Sequence, residues 1–303
     1  MTAAFIGLGA MGGGMALNLK KGGVDLLIYA RRQEVRETFA AQGVAVAAEL
    51  SDAAARDAVF LCLPDDAAVE SVLLGETGLL RHMRAGQTVV DCSTISYLKA
   101  RELAERCAAQ GVDYLDAPVS GHHAKAMDGT LTIMCGGKEA VFDRVKPLLD
   151  KMGSTVLYMG PSGSGQLTKT INNCALNICT AAFCELMPLG VKLGLPAEKL
   201  GEVLMTATGS SHASKTLIPE VLEGNFAHDF TMERAYKDMR NIFEVTGKYA
   251  VPLPTVSGAM QTYQLALQNG QGDAYKGAMI RFYESMLGVE CRRPGFETEK
   301  KEA

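Results

Sequence analysis

The chain has 303 residues, 48% of them hydrophobic, and a formal net charge of -4 at pH 7. This length and composition support a large buried core and two globular domains of about 150 residues each. With 30 basic against 34 acidic side chains, the sequence lacks the dense basic face that nucleic-acid binding requires, so we expect no nucleic-acid partner.

The N-terminal segment and the cysteines indicate the cellular setting. The first residues enter a glycine-rich stretch without the basic flank, apolar core and cleavage site of a signal peptide. Because no run of about 18 uninterrupted apolar residues occurs, we expect a cytoplasmic protein without a membrane span. The eight cysteines show neither a C-x-x-C pair nor a closely following His, so we expect reduced core thiols and no metal site.

Up to about residue 160, short apolar or β-branched runs alternate with helical stretches. Strands are expected at 3–6, 26–29, 59–63, 88–91, 114–117, 130–135 and 155–158. The alternation is typical of βαβ units, so we predict an α/β fold with an N-terminal Rossmann-type, doubly wound, mostly parallel sheet.

Beyond a glycine- and serine-rich segment at 160–165, the pattern is helical throughout. The first helix, at about 165–194, would be about 45 Å long and would join two domains. Pro188 is expected to kink or interrupt it, because proline has no amide proton and clashes with the preceding turn. Further helices are expected at about 197–207, 213–223, 233–247, 253–268 and 273–287.

These elements define the domain organisation that we predict. An α/β domain spans 1–163, an all-helical domain for substrate binding and oligomerisation spans 164–291, and a charged, flexible tail spans 292–303. Because a helical domain rich in Ala, Leu and Met usually finds a partner surface, we expect a homodimer or homotetramer.

A glycine-rich turn connects the first strand to the first helix. It consists of Gly7, Leu8, Gly9, Ala10, Met11 and Gly12. In a G-x-G-x-x-G turn, the first glycine permits a tight turn, the second lets the backbone approach a pyrophosphate, and the third allows close packing of helix on strand. The helix N-terminus adds free amides and a positive dipole end. The turn therefore predicts a dinucleotide site.

The end of the second strand bears on which dinucleotide binds. An NAD enzyme usually places Asp or Glu there to bind the ribose 2′-hydroxyl, whereas this sequence has Ala30, Arg31 and Arg32. Guanidinium groups favour a 2′-phosphate through charge-assisted hydrogen bonds, so the sequence predicts NADP, with NAD as the alternative. In a second interpretation, the two arginines only solvate the start of a helix.

The long helix carries a polar stripe on an apolar background, which predicts burial on nearly all sides. The stripe, at i, i+3, i+7 and i+11, consists of Gln166, Lys169, Asn173 and Asn177. Desolvation lowers the pKa of a buried lysine, so Lys169 can give a proton to a carbonyl oxygen and take one from an alcohol. Asn173, one turn on, can hydrogen-bond the same oxygen. Alternatively, Lys169 extends to solvent at the start of the helix.

A second segment, Asp116 to His123, lies at the end of the strand expected at 114–117 and precedes a short helix. Ligands of open α/β sheets gather outside the carboxyl ends of the strands. The Ser120 hydroxyl and the successive backbone amides make a suitable cradle for a carboxylate.

Together, these motifs resemble the β-hydroxyacid dehydrogenase family, which includes 3-hydroxyisobutyrate dehydrogenase and tartronate semialdehyde reductase. The resemblance covers nearly the whole chain, and several motifs in the right order are more specific than any one of them. The matching segments are Gly7 to Gly12, Leu63-Pro64-Asp65, Asp91 to Thr94, Asp116 to Gly121, Gly163 to Asn173 and Tyr236-Lys237-Asp238.

The resemblance implies a role for each matching residue. It makes Lys169 catalytic, with Asn173 near the reacting oxygen. The residues implied to bind the substrate carboxylate are Ser120, Gly121 and His122. Those implied to line the cofactor are Leu63, Pro64 and Thr94. Lys237, which alone would be interpreted as a surface lysine beside Asp238, is implied to reach substrate and cofactor from the helical domain.

One residue departs from the family pattern. His122 stands where the family usually has a second glycine after Ser120-Gly121. Its backbone amide can still bind a carboxylate, while its imidazole either fills or polarises the pocket or points to solvent. His122 and the turn at 208–212 therefore bear on which acid is the substrate.

The sequence thus predicts an NADP-dependent oxidoreductase that interconverts a small 3-hydroxy acid, such as 3-hydroxyisobutyrate, and its semialdehyde or keto acid. The alternative is a non-catalytic NADP-binding sensor or interaction module on the same scaffold, which the presence of Lys169 disfavours. A 6-phosphogluconate-type oxidative decarboxylase would need a longer helical region and a basic phosphate pocket, for which this chain has no room.

Overall fold

The computed structural model describes residues 1–227 and 230–296, without the side chain of Lys248. It divides into two compact units, Met1–Lys169 and a second that begins at Thr170. Within the described residues, the first unit contains the strands β1 (Ala3–Ile6), β2 (Leu26–Tyr29), β3 (Ala45–Val46), β4 (Ala58–Leu61), β5 (Thr88–Asp91), β6 (Asp113–Asp116), β7 (Val119–Ser120), β8 (Leu131–Gly136) and β9 (Gly153–Gly160).

Helices alternate with these strands and make up most of the second unit. Those of the first unit are α1 (Ala10–Lys21), α2 (Gln33–Ala41), α3 (Asp66–Leu74), α4 (Tyr97–Ala108), α5 (His123–Asp128) and α6 (Glu139–Leu149). Helix α7 (Ser164–Lys192) begins in the first unit and continues into the second. The second unit adds α8 (Ala197–Thr206), α9 (His212–Glu223), α10 (Met232–Tyr249), α11 (Pro254–Gln268) and α12 (Ile280–Leu287).

The strands form one sheet in the order β3-β2-β1-β4-β5-β6-β8-β7, with β9 paired to β8. Neighbours from β3 to β6 are parallel, β6 and β7 run antiparallel to β8, and β9 is parallel to β8. The first six follow the strand order of dinucleotide-binding sheets. This sheet and the helical second unit confirm the predicted fold class.

The register sets the carboxyl ends of the central strands side by side. Ile6 pairs with Leu61, Leu61 with Asp91, and Asp91 with Asp116. The loops that follow β1, β4, β5 and β6 therefore leave the sheet next to one another. Ligands of open α/β sheets bind at this edge.

Both faces of the sheet are covered, as its sequence pattern requires. Because successive side chains of a strand point to opposite faces, Phe5 and Phe60 pack on one side, and Ala4 and Val59 on the other. Helices α1 and α6 cover the first side, and α3 and α4 the second. The parallel strands β1, β2, β4, β5 and β6 are buried on both faces or nearly so.

The predicted elements agree closely with the observed ones. The seven expected strands are present with ends within two residues of prediction, whereas β3 and β7, of two residues each, were missed because they are too short for a periodic pattern. Helix α7 continues through Pro188 rather than ending there. The helix expected at 273–287 is instead a 3-10 turn at Lys276–Met279 followed by α12.

Two expectations about the second half of the chain differ from the structure. The domain boundary expected after residue 163 lies directly before α7, whereas the units separate within α7, after Lys169. Arg292, the first residue of the expected tail, is buried, and its Nη1 atom lies 2.6 Å from Oε1 of Glu284. The rest of that expected tail from 297 to 303 lies outside the described residues.

Helix α7 is also less buried than its apolar sequence predicts. Ile171, Leu186 and Leu189 are 56%, 56% and 45% exposed. The helix has the length and hydropathy of a membrane-spanning segment, although 44% of its most apolar window is buried and core helices pass the same test. Its buried polar residues Gln166, Asn173 and Asn177 hydrogen-bond to other parts of the fold, as in a core helix.

Candidate active site

The glycine turn after β1 has the geometry that a pyrophosphate site requires. Gly7 has φ +93°, and a Cβ atom there would lie 2.2 Å from the Cys62 carbonyl oxygen. A Cβ atom at Gly12 would lie 1.9 Å from the Gly7 carbonyl oxygen, so α1 packs closely on the turn. At Gly9, by contrast, nothing lies within 4 Å of that position. The turn therefore fits a dinucleotide, with its open side at Gly9.

The remaining residues of the turn are arranged around that open side. Ala10 is exposed, and Leu8 and Met11 are partly buried against the core of the first unit. Cys62, under the turn, has its pKa raised to about 12 by burial and by the nearby Asp91. Its thiol is therefore an uncharged packing group at neutral pH.

Exposed arginines follow β2, where the ribose of a dinucleotide would lie. Arg31 and Arg32 are both exposed, and Arg32 precedes the first turn of α2. The structure adds a third, Arg36, whose Nε atom donates to the Ala30 carbonyl and whose guanidinium lies 5.3 Å from the centre of the Tyr29 ring. The sequence analysis missed Arg36, although its place one turn after Arg32 could have indicated it.

Two loops at the carboxyl edge carry the other expected cofactor residues. Leu63 and the exposed Pro64 follow β4, and the partly buried Thr94 follows β5. The Leu63 amide donates to Oγ of Ser93 at 2.9 Å, which ties the first loop to the second. The structure thus brings these residues together beside the glycine turn.

The expected carboxylate-binding turn is fixed to the same region. Ser120 ends β7, Gly121 has φ +145°, and the exposed His122 precedes α5. Helix α5 packs on α1, where Nδ2 of Asn18 donates to the Ala126 carbonyl at 2.7 Å. In addition, Nδ1 of His123 lies 2.6 Å from the Ala10 carbonyl oxygen of the glycine turn. The turn at 120–122 is therefore held next to the dinucleotide turn.

Two buried carboxylates lie beneath these loops. Asp91 accepts from the Tyr114 hydroxyl at 2.8 Å and from the Ser93 amide at 2.9 Å, and burial raises its pKa. Asp116, on the adjacent strand, accepts from the Gly163 amide at 2.7 Å and from the Gln166 amide at 3.0 Å. Burial raises the pKa of Asp116 to about 6, against the effect of these two amides. Asp116 thereby anchors the start of α7 to the sheet.

Lys169 lies one turn after this anchor. It is the last residue of the first unit, is partly buried, and shares α7 with Gln166. The sequence analysis did not identify the anchoring role of Asp116, since nothing in its local pattern indicates that its partners are 47 and 50 residues away.

The second unit brings two of the other expected residues together. Asn173 is 4% exposed, and its Nδ2 atom donates to Oδ2 of Asp238 at 2.7 Å. The other oxygen of Asp238 lies 3.5 Å from Nζ of Lys237. Asp238, which the sequence analysis placed only in a matching motif, thus connects Asn173 and Lys237 and fixes the orientation of the Asn173 amide.

The last residue of the polar stripe has a different environment. Asn177 is fully buried, accepts from Nζ of Lys276 at 2.9 Å, and donates to the Ala235 carbonyl at 3.3 Å. Nζ of Lys276 also lies 5.0 Å from the centre of the Phe230 ring. These contacts give Asn177 a role in packing α7 within the second unit.

The cysteines are packing groups in the described structure. All eight cysteines are free, and six of them are buried. No group of three or more His, Cys, Asp or Glu residues that could hold a metal ion occurs in the part of the chain that the structure describes.

Family models match both units of the chain. Residues 2–160 match the NAD binding domain of 6-phosphogluconate dehydrogenase. Residues 163–283 match the NAD-binding domain of NADP-dependent 3-hydroxyisobutyrate dehydrogenase. The two models together account for nearly the whole length of the chain.

Characterised proteins are similar over almost their full lengths. The 2-(hydroxymethyl)glutarate dehydrogenase of Eubacterium barkeri is 38% identical, over 94% of this chain and 95% of that protein. The 2-hydroxy-3-oxopropionate reductase of Escherichia coli is 32% identical, over 94% and 98%. The 3-hydroxyisobutyrate dehydrogenase of Pseudomonas aeruginosa is 35% identical, over 89% and 93%.

Solved structures agree with these relatives. The 3-hydroxyisobutyrate dehydrogenase of Salmonella typhimurium is 29% identical with a TM-score of 0.85, covering 93% of this chain and 99% of that one. The Mycobacterium tuberculosis enzyme of the same name, with L-serine, is 31% identical with a TM-score of 0.83, covering 93% and 98%. Psf3 in complex with NADP+ and 2-OPP is 26% identical with a TM-score of 0.82, covering 93% and 99%.

Proposed function

The chain belongs to the β-hydroxyacid dehydrogenase family and is an NAD(P)-binding oxidoreductase that acts on the CH–OH group of hydroxy acids. On this premise we propose that it uses NADP to interconvert a small 3-hydroxy acid and its semialdehyde or keto acid, with Lys169 as the general acid and base. The observation that carries this proposal is the anchor of α7: Asp116 binds the first turn of the helix to the edge of the sheet that carries the dinucleotide turn, one turn before Lys169. The non-catalytic alternative gains no support from the comparisons.

The preference for NADP rests on the end of β2. The exposed Arg31 and Arg32 offer charge-assisted hydrogen bonds to a 2′-phosphate, and no carboxylate occupies positions 30–32 to repel it. The relative with bound NADP+ supports the same preference. NAD is the alternative cofactor. When bound, the nicotinamide donates or accepts the hydride.

Side chains and backbone amides of the chain bind the substrate and transfer the proton. Ser120, Gly121 and the backbone amide of His122 bind the substrate carboxylate, beside the glycine turn that binds the pyrophosphate. Lys169 donates its proton to the carbonyl oxygen during reduction and takes a proton from the hydroxyl during oxidation. Asn173, whose amide is fixed by Asp238, hydrogen-bonds the same oxygen, and Lys237 contacts substrate and cofactor.

The names of the relatives define the substrates to test. They suggest 3-hydroxyisobutyrate, 2-hydroxy-3-oxopropionate (tartronate semialdehyde) and 2-(hydroxymethyl)glutarate. An imidazole at His122, close to the bound carboxylate, would favour an acid that has a second polar or anionic group. We also propose a cytoplasmic location and a homodimer or homotetramer.

Replacement of Lys169 tests the reaction. In Lys169→Ala, we expect kcat to fall about 100- to 10,000-fold, the usual contribution of a general acid, with NADPH affinity retained. The assay follows the absorbance of NADPH, and in parallel NADH, with the three semialdehydes or their hydroxy acids. Lys192→Ala is the matched control, since Lys192 is an exposed lysine of the same helix.

Two results would contradict the proposal. Equal turnover by the wild type and Lys169→Ala would exclude Lys169 as the general acid and base. No turnover by the wild type with any of the three substrates would exclude the proposed reaction.

A further inference from the structure

Gln166 joins helix α7, which carries Lys169, to a loop that is expected to line the cofactor. Its side chain is fully buried. Nε2 donates to the Ser93 carbonyl at 2.7 Å, and Oε1 accepts from the Ile95 amide at 3.2 Å. Both hydrogen-bonding atoms of the side chain are therefore used on the two neighbours of Thr94.

Ser93 extends this connection to a second loop. Its Oγ atom accepts from the Leu63 amide, and its own amide donates to Asp91 at the end of β5. The loop after β4, the loop after β5 and the first turn of α7 are thus connected by hydrogen bonds between buried or partly buried groups. Leu63 and Thr94, both expected to line the cofactor, lie on the connected loops.

The backbone of Gln166 is fixed as firmly as its side chain. Its amide donates to Asp116, which also accepts from Gly163. Two glycines make room for this carboxylate, because a Cβ atom at Gly136 or Gly165 would lie 2.8 Å from a carboxylate oxygen of Asp116. The first turn of α7 is therefore bound to β6 through Asp116 and to the loop after β5 through the Gln166 side chain.

We propose that Gln166 is a positioning residue, which holds Lys169 in register with the loop at 93–95, where Thr94 is expected to line the cofactor. The inference rests on the proposed role of Lys169, one helical turn away. It assigns to the amide of Gln166 a function in aligning proton donor and cofactor, beyond its contribution to the stability of the first unit. Hydride transfer is sensitive to such alignment, since a displacement of ~1 Å can cost about 100-fold in rate.

Two variants separate alignment from folding. Gln166→Leu keeps a similar volume and removes both side-chain hydrogen bonds. Gln166→Glu keeps the acceptor for the Ile95 amide, and it can donate to the Ser93 carbonyl only when its carboxyl group is protonated. Thr168→Ala is the matched control, because the Thr168 hydroxyl donates to Ser164 within the same turns of α7 and makes no bond to the loop.

The kinetic experiment measures kcat and NADPH affinity separately for each variant. For Gln166→Leu we expect a lower thermal midpoint of unfolding, because the Ser93 carbonyl and the Ile95 amide lose their partner, but a folded protein with unchanged NADPH affinity. The fall in kcat should be about 10- to 100-fold. The isotope effect with NADPH deuterated at the transferred position should rise, because hydride transfer becomes rate-limiting. In Gln166→Glu, the ratio of its kcat to that of the wild type should increase as the pH falls and the carboxyl group gains its proton.

A second readout does not depend on turnover. Hydrogen exchange is measured with and without NADPH for the amides of Gly163 and Gln166 and for the loop at 93–95. In the wild type, we expect NADPH to slow exchange in both places. In Gln166→Leu, it should slow exchange only in the loop, because the connection to α7 is lost.

The outcomes distinguish this inference from the proposed function. A kcat equal to that of the wild type in both variants, or NADPH protection of α7 that survives in Gln166→Leu, would overturn the role of Gln166. If the wild type turns over none of the substrates, the proposed reaction fails, and the exchange experiment alone decides whether Gln166 couples loop and helix. If Gln166→Leu does not fold, Gln166→Glu decides: a ratio of kcat values independent of pH would contradict the inference.

Discussion

Asp116 is fully buried at the end of β6, and its surroundings act on its pKa in opposite directions. Burial raises the pKa from 3.8 to about 6, whereas the amides of Gly163 and Gln166 lower it. The folded pKa thus exceeds the unfolded one. Between pH 3.8 and about 6, the folded state therefore binds more protons at Asp116 than the unfolded state does. The contribution of Asp116 to stability is greatest at low pH and is lost as the pH rises through about 6.

Comparison with Asp116→Asn isolates this effect, because asparagine does not titrate. From pH 4 to 7, we expect the free energy of unfolding of the wild type to fall relative to that of Asp116→Asn by about 2 to 3 kcal/mol. Urea unfolding at each pH measures the difference, and the other titrating groups cancel. A difference that stays constant over this range would show that the pKa of Asp116 is not raised.

Among the secondary-structure elements, the turn from β1 to α1 contains glycines in two different environments. Gly9 has φ −76° and open space around it, so an alanine fits the backbone without strain. Gly12 faces the Gly7 carbonyl at a distance that no Cβ atom tolerates. The fold therefore requires a glycine at position 12, and we expect the glycine at position 9 to serve ligand binding.

This division predicts opposite outcomes for two alanine variants. Gly9→Ala should keep the thermal midpoint of the wild type but weaken NADPH binding about tenfold or more, because the methyl group occupies the approach of the pyrophosphate. Gly12→Ala should lower the free energy of unfolding by about 1 to 3 kcal/mol through overpacking. Fluorescence titration with NADPH and thermal unfolding measure the two effects. Normal cofactor affinity in Gly9→Ala would place the pyrophosphate elsewhere.

For the whole molecule, the proposed homodimer or homotetramer is supported by exposed apolar side chains of the second unit. Leu186, Leu189 and Leu193, at the end of α7 and directly after it, are 56%, 45% and 76% exposed. Leu186 and Leu189, at i and i+3, lie on one side of α7, and the exposed Leu193 follows directly after the helix. Exposed apolar side chains that cluster in this way usually mark an interface.

Light scattering tests the assembly. At micromolar concentration, we expect a mass of two or four times 32.3 kDa. The double variant Leu189→Lys, Leu193→Lys should shift the mass toward that of the single chain, because burying two ammonium groups in an interface is unfavourable. Leu157→Lys is the control, since Leu157 is similarly exposed but lies on β9 of the first unit. A mass of 32.3 kDa for the wild type would exclude the oligomer.

Features that depend on local pattern could be predicted from the sequence. Alternating apolar and helical runs located the strands of the sheet, because a strand or a helix is recognised from residues next to one another in the chain. The glycine turn and the start of α7 were identified for the same reason, because each is defined by the spacing of residues within one short segment.

The side chains that hold the candidate site in place are visible only in the folded chain. Gln166 bonds to Ser93 across 73 residues, and Asn173 to Asp238 across 65. The sequence places Arg292 in a charged tail, whereas in the structure it forms a buried ion pair with Glu284. Such contacts depend on how the sheet and the helices pack. A Gln or Asp side chain has the same donors and acceptors at every position, so the local sequence does not specify which residue it will bond.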